Sequence, residues 1–113
     1  MSDHTRSQSS ERDMAEPPID KHAAIEALAG CRRELEDLDR EIIGLLAKRV
    51  ARSKEIGALK RVAGLPTLDP AREADVIRRA ATVAREHGLS DEKVRDIFWH
   101  VIGLSRSAQT EGE

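Results

Sequence analysis

Between Ala23 and Val62 apolar residues recur at helical spacing for some forty residues, with no proline to interrupt them. One stripe reads Leu28, Cys31, Leu35, Leu38, Ile42 and Leu45; Ile43 and Leu46 widen it, and Ile56 and Leu59 extend it. A helix of that length measures about 60 Å, roughly twice the width of a compact domain of this size. A lone chain of 113 residues cannot cover so long an apolar stripe. The pattern therefore predicts a second copy lying alongside, and a homodimer is the first structural expectation.

The ends of this helix are written in the chain. Asp20 is placed to cap it from Lys21, and Gly30 is a position where its first turns are expected to loosen. Gly64 and Pro66 close it. Gly44 and Gly57 lie in its interior at a cost of about 1 kcal/mol each, which signals close approach by another backbone. A second helix begins at Asp69, an N-cap, followed by Pro70 at the favoured first position; its apolar face is Val76, Ile77, Ala80, Ala81 and Ala84, and Gly88 ends it. Ser90 caps a third, with Asp91 and Glu92 in its first turn and an apolar face of Val94, Ile97, Phe98, Val101, Ile102 and Leu104. No alternating strand pattern occurs. The fold class is all-α, one long and two shorter helices, in a domain spanning 21–110 between a disordered polar tail (1–20) and a flexible end (111–113).

Composition narrows the function. Residues 21–110 hold 17 Lys/Arg against 14 Asp/Glu, mildly basic but too evenly mixed for nucleic acid. Cys31 is the only cysteine, so an intramolecular disulfide is impossible, and on the apolar stripe it reads as a small buried hydrophobe. The amino terminus lacks the apolar run of a secretory signal, and no eighteen-residue apolar run suggests a membrane span. A soluble cytoplasmic protein is expected.

The informative residues are polar ones on apolar faces. Arg49 interrupts the long stripe, and Lys60, eleven positions on, returns to within about 20° of the same direction and about 16 Å further along. Arg32, seventeen positions before Arg49, is turned about 100° away and lies about 25 Å distant. It cannot share Arg49's pocket within one straight helix, but in an antiparallel dimer it can reach the pocket of the other chain. The second helix adds Asp69, Arg72 and Glu73 near its start; the third adds Ser105 and Gln109, one turn apart. Singly, each fits an ordinary solvated charge or surface pair. The four histidines show no metal-ligand spacing, and neither a Ser-His-acid relay nor a Gly-rich phosphate loop is present. Together the cations, amide and carboxylate suit a small dianion held in one conformation while charge moves within it.

From about Cys31 to Gln109 the chain resembles the all-α chorismate mutases. The matching stretches are Arg32, Leu38 to Ile43, Leu45 to Arg49, Ile56-Gly57 with Lys60, Leu68 to Glu73, and Ile102 with Ser105 and Gln109. The resemblance implies an intertwined homodimer that rearranges chorismate to prephenate without cofactor or metal. It implies that Arg32, given across to the neighbouring subunit, and Arg49 bind substrate carboxylates, with Arg72 and Ser105 positioning them. Lys60 and Gln109 would contact the ether oxygen, and Glu73, with the backbone near Asp69, the ring hydroxyl. No fused catalytic or regulatory domain is expected. On the same fold, an isochorismate pyruvate lyase or a mutase for the amine analogue, aminodeoxychorismate, are the alternatives. A non-catalytic helical dimerisation module is the alternative of a different class.

Overall fold

A computed structural model describes residues 20–110, in which there are three helices and no strand. They are α1 (Lys21–Ala63), α2 (Pro70–Glu86) and α3 (Asp91–Thr110). The expected polar tail, apart from Asp20, and the expected flexible end lie outside the described residues. The chain divides into two compact units, one ending at Arg40 and the other beginning at Glu41.

In the first unit Asp20 is the cap of α1: its Oδ1 accepts from the Ala23 N–H at 2.7 Å, and its carbonyl accepts from Ala24. Gly30 does not break the helix, which runs through it unbroken. Contacts one turn apart decorate the surface: His22 lies 3.4 Å from Glu26, and Arg40 forms an ion pair with Asp37. Ile25, Leu28, Leu35 and Leu38 are exposed. Cys31, expected as a buried thiol, is exposed too: none of the described residues covers that face of α1.

In the second unit, α1 ends where Gly64 adopts a φ of 72°, donating to Arg61 O while Leu65 donates back to Lys60 O at 2.8 Å. α2 closes in the same way through Gly88, also at φ 72°, and Leu89. In both, a left-handed residue lets the following amides satisfy carbonyls of the last turn, a conformation glycine adopts without a Cβ penalty. Asp69 accepts from the Arg72 N–H at 3.1 Å and Ser90 from the Lys93 N–H at 3.1 Å, so both short helices start at their expected caps.

The core is small: Ala80, Ala81 and Ala84 of α2 with Ile102 and Ala108 of α3. Alanines let two helices approach closely, but they bury little apolar area. Of the expected apolar face of α3, Ile97 and Leu104 are exposed. So are Ile42, Ile43, Leu45, Ile56 and Leu59 of α1. Gly57 is buried against the end of α3, where a Cβ would lie 2.5 Å from the carbonyl oxygen of Gln109. Gly44, by contrast, has nothing within 4 Å of its Cβ position among the described residues, so none of them makes the backbone approach expected there.

Candidate active site

Three helices contribute to one polar pocket in the second unit. From α1 come Arg49, Arg52, Ser53, Ile56 and Lys60, whose steps of three and four place them on one face. The first turns of α2 and its cap supply Asp69, Arg72, Glu73 and Val76. The last turns of α3 supply Ile102, Ser105, Arg106 and Gln109, again at steps of three and four. The cavity holds about 390 Å³, enough for a small molecule.

Arg49 departs from the apolar pattern because it points at this space. Its Nη1 donates to the hydroxyl of Ser105, which is itself buried. Burying a hydroxyl without a partner costs about 1–3 kcal/mol, so the pair fixes the guanidinium while satisfying Ser105. Lys60 Nζ donates to the Thr67 carbonyl at 2.9 Å and to Gln109 Oε1 at 3.4 Å. The ammonium is thereby held between the α1–α2 connection and the end of α3. Arg61, the next residue, donates to the Gln109 carbonyl at 3.1 Å, securing that end of α3 from outside.

The carboxylates are engaged differently. Asp69 uses one oxygen to cap α2. Glu73, in the first turn of α2, receives two bonds from Arg106: Nε to Oε2 at 3.1 Å and Nη2 to Oε1 at 2.5 Å. That hydrogen bonding, and then the negative charge of Glu73, raises Arg106 above the ordinary arginine range, with burial opposing. Arg52 pairs outward with both oxygens of Glu55. Arg49 and Lys60 are thus cations bonded to neutral groups among the described residues, which leaves their charge available to an anion.

Of the residues expected from the sequence, Arg49, Lys60, Asp69, Arg72, Glu73, Ser105 and Gln109 all line this pocket. Arg32 lies on α1 in the first unit, exposed, and is not among the lining residues. Among the described residues no three His, Cys, Asp or Glu side chains gather as a metal cluster would require, and no helix is long and apolar enough to cross a membrane.

A family model described as chorismate mutase type II matches residues 31–110. The chain belongs to the type II chorismate mutase family. Several relatives extend the match. The chorismate mutase of Methanocaldococcus jannaschii is 29% identical over 87 residues, 77% of this chain and 88% of that protein. The T-protein of Haemophilus influenzae is 36% identical over 74 residues, 66% of this chain and 20% of that protein. The bifunctional chorismate mutase/prephenate dehydratase of Escherichia coli K12 is 29% identical over 75 residues, 66% of this chain and 19% of that protein. The chain therefore spans most of the first and about a fifth of the other two.

For this member of the chorismate mutase family, sequence reasoning missed two pocket arginines. Arg52 follows Arg49 by one helical step, a signal that was available. Arg106 had only its position between Ser105 and Gln109 to mark it; its partner Glu73 is 33 residues away on another helix.

Proposed function

We propose that this pocket converts chorismate to prephenate. The reaction is a concerted rearrangement: the ether carbon–oxygen bond breaks while a carbon–carbon bond forms, and negative charge grows on the ether oxygen in the transition state. The observation that carries the reading is Lys60 beside Gln109, 3.4 Å apart, in a pocket that also presents Arg49 and Arg72. With Oε1 accepting from Lys60, Gln109 has its Nε2 to offer an oxygen acceptor. Two donors fixed at the ether oxygen bind it more tightly as its charge develops, which lowers the barrier. Arg49, held by Ser105, and Arg72 clamp the carboxylates, which selects the compact reactive conformer. Glu73, beside the Asp69 backbone, accepts from the ring hydroxyl.

The reading includes a homodimer in which Arg32 of each chain enters the other's pocket. What supports it is the exposure of Leu35, Leu38, Ile42 and Leu45 along α1, a run of apolar side chains that a second copy would cover, and the exposure of Arg32 itself.

Incubation of the purified protein with chorismate, followed by NMR, is expected to give prephenate, with kcat/KM falling about 10²–10³-fold in Lys60→Ala. No prephenate above the uncatalysed background refutes the proposal. Arg32→Ala and Arg49→Ala proteins, each inactive, are expected to recover part of their activity when mixed and refolded, because one hybrid pocket regains both arginines. Verified heterodimers without recovery rule out sharing.

A further inference from the structure

The proposed rearrangement gives Arg106 no task, yet Arg106 makes the most directed ion pair in the pocket. Its guanidinium meets both oxygens of Glu73 in a fork, at 3.1 and 2.5 Å. Glu73 is 23% exposed and Arg106 41%. The two also line a neighbouring depression with Ile77, Arg95 and Trp99, so the pair is the wall between that depression and the polar pocket. Surface pairs one helical turn apart form almost by default, as with Arg52 and Glu55 here; a pair joining α2 to α3 across 33 residues is set by the fold.

We infer that Arg106 is a specificity-determining residue that acts through Glu73, making the pocket favour a ring hydroxyl over an ammonium at the same place on the substrate. The inference rests on the chorismate mutase reading. A carboxylate has about four lone-pair sites, and two bonds from Arg106 leave sites to accept from a neutral hydroxyl. The charge of Glu73 is another matter. An ammonium entering the pocket meets a carboxylate already balanced by a guanidinium a few ångströms behind it, and Arg49, Lys60 and Arg72 beyond. The hydroxyl, being neutral, is little affected by that balance. Arg106 therefore disfavours the amine analogue while leaving chorismate its acceptor.

The test compares kcat/KM for chorismate and for the analogue with an amine in place of the ring hydroxyl, at neutral pH, in wild type, Arg106→Met, Arg106→Gln and Arg106→Lys. Folding is checked by circular dichroism. Wild type is expected to prefer chorismate by about tenfold or more. Arg106→Met should shrink the preference by on the order of tenfold, the size expected for a charge term that solvent partly screens. The gain should appear mainly as a higher kcat/KM for the amine. Arg106→Gln, which keeps a hydrogen bond without the charge, should do the same and serves if the methionine variant does not fold. Arg106→Lys should retain the wild-type ratio. A merely structural role would depress both substrates together, so turnover of chorismate with an unchanged ratio in the uncharged variants overturns the inference and leaves the mutase reading standing. A wild type that prefers the amine overturns it likewise. A wild type that turns over neither substrate overturns both.

Discussion

Replacing Gly57 with alanine probes the contact on which the pocket's geometry hangs. A Cβ there would meet the Gln109 carbonyl oxygen at 2.5 Å, its Cα at 3.0 Å and its carbonyl carbon at 3.2 Å. All three atoms are backbone, so no side-chain rotation relieves the clash. A non-bonded contact is comfortable near about 3.5 Å, so α1 and the end of α3 must part by about 1 Å. Overpacking of this kind costs about 1–3 kcal/mol, while replacing a mid-helix glycine returns about 1 kcal/mol of propensity. The expected net loss is about 1 kcal/mol, or a fall in Tm of roughly 5 °C at fixed protein concentration. Activity should suffer far more. The same displacement carries Gln109 from Lys60, and an error of about 1 Å in a positioning group can cost on the order of 10²-fold in kcat/KM. Thermal melting and steady-state turnover of chorismate, measured side by side, test this. Unchanged kcat/KM with an unchanged or higher Tm would refute the reasoning, since the last turn of α3 would then have moved aside without consequence.

Two further outcomes follow from the pocket's charges. Arg49→Leu should lower kcat/KM at least about 10³-fold while size-exclusion chromatography shows the same oligomeric state; a changed state with normal turnover would mean Arg49 serves assembly instead. Gln109 Nε2 donates at any pH, whereas Gln109→Glu can donate only when protonated. Activity of that variant should therefore rise as pH falls toward the carboxylate range and fade above it, and a profile parallel to wild type would remove Gln109 from the ether oxygen.

The helices were legible because their signals are local. Asp20, Gly64, Asp69, Gly88 and Ser90 each act within a few residues of themselves, and the boundaries of α1 fall within two residues of those read from the pattern. The polar residues of the pocket were legible for a related reason: a charge on an apolar face of a helix contradicts its surroundings. What could not be read was anything decided between helices. The carbonyl of Thr67 as partner of Lys60 is a backbone group and leaves no trace in the side-chain pattern. The pairing of Arg106 with Glu73 depends on how α2 meets α3. Cys31 misled because a stripe's hydrophobicity says that it will be covered, not by what; within this chain it is exposed. Gly44 and Gly57 looked alike in sequence, and among the described residues only Gly57 of the two has a backbone pressed against it.

The bond from Lys60 to the Thr67 carbonyl makes the length of a connection part of the chemistry. Between Ala63 and Pro70 the chain has six residues in which to turn and begin a new helix, and the ammonium is moored to one of them. Lengthening that stretch would let Thr67 drift and would free Lys60 to follow solvent. The turn from His87 to Ser90 also joins two helices, but none of its residues lines the polar pocket. Insertions, labels or a cut for circular permutation thus belong at the second turn, while the first tolerates variation in side chain more readily than in number.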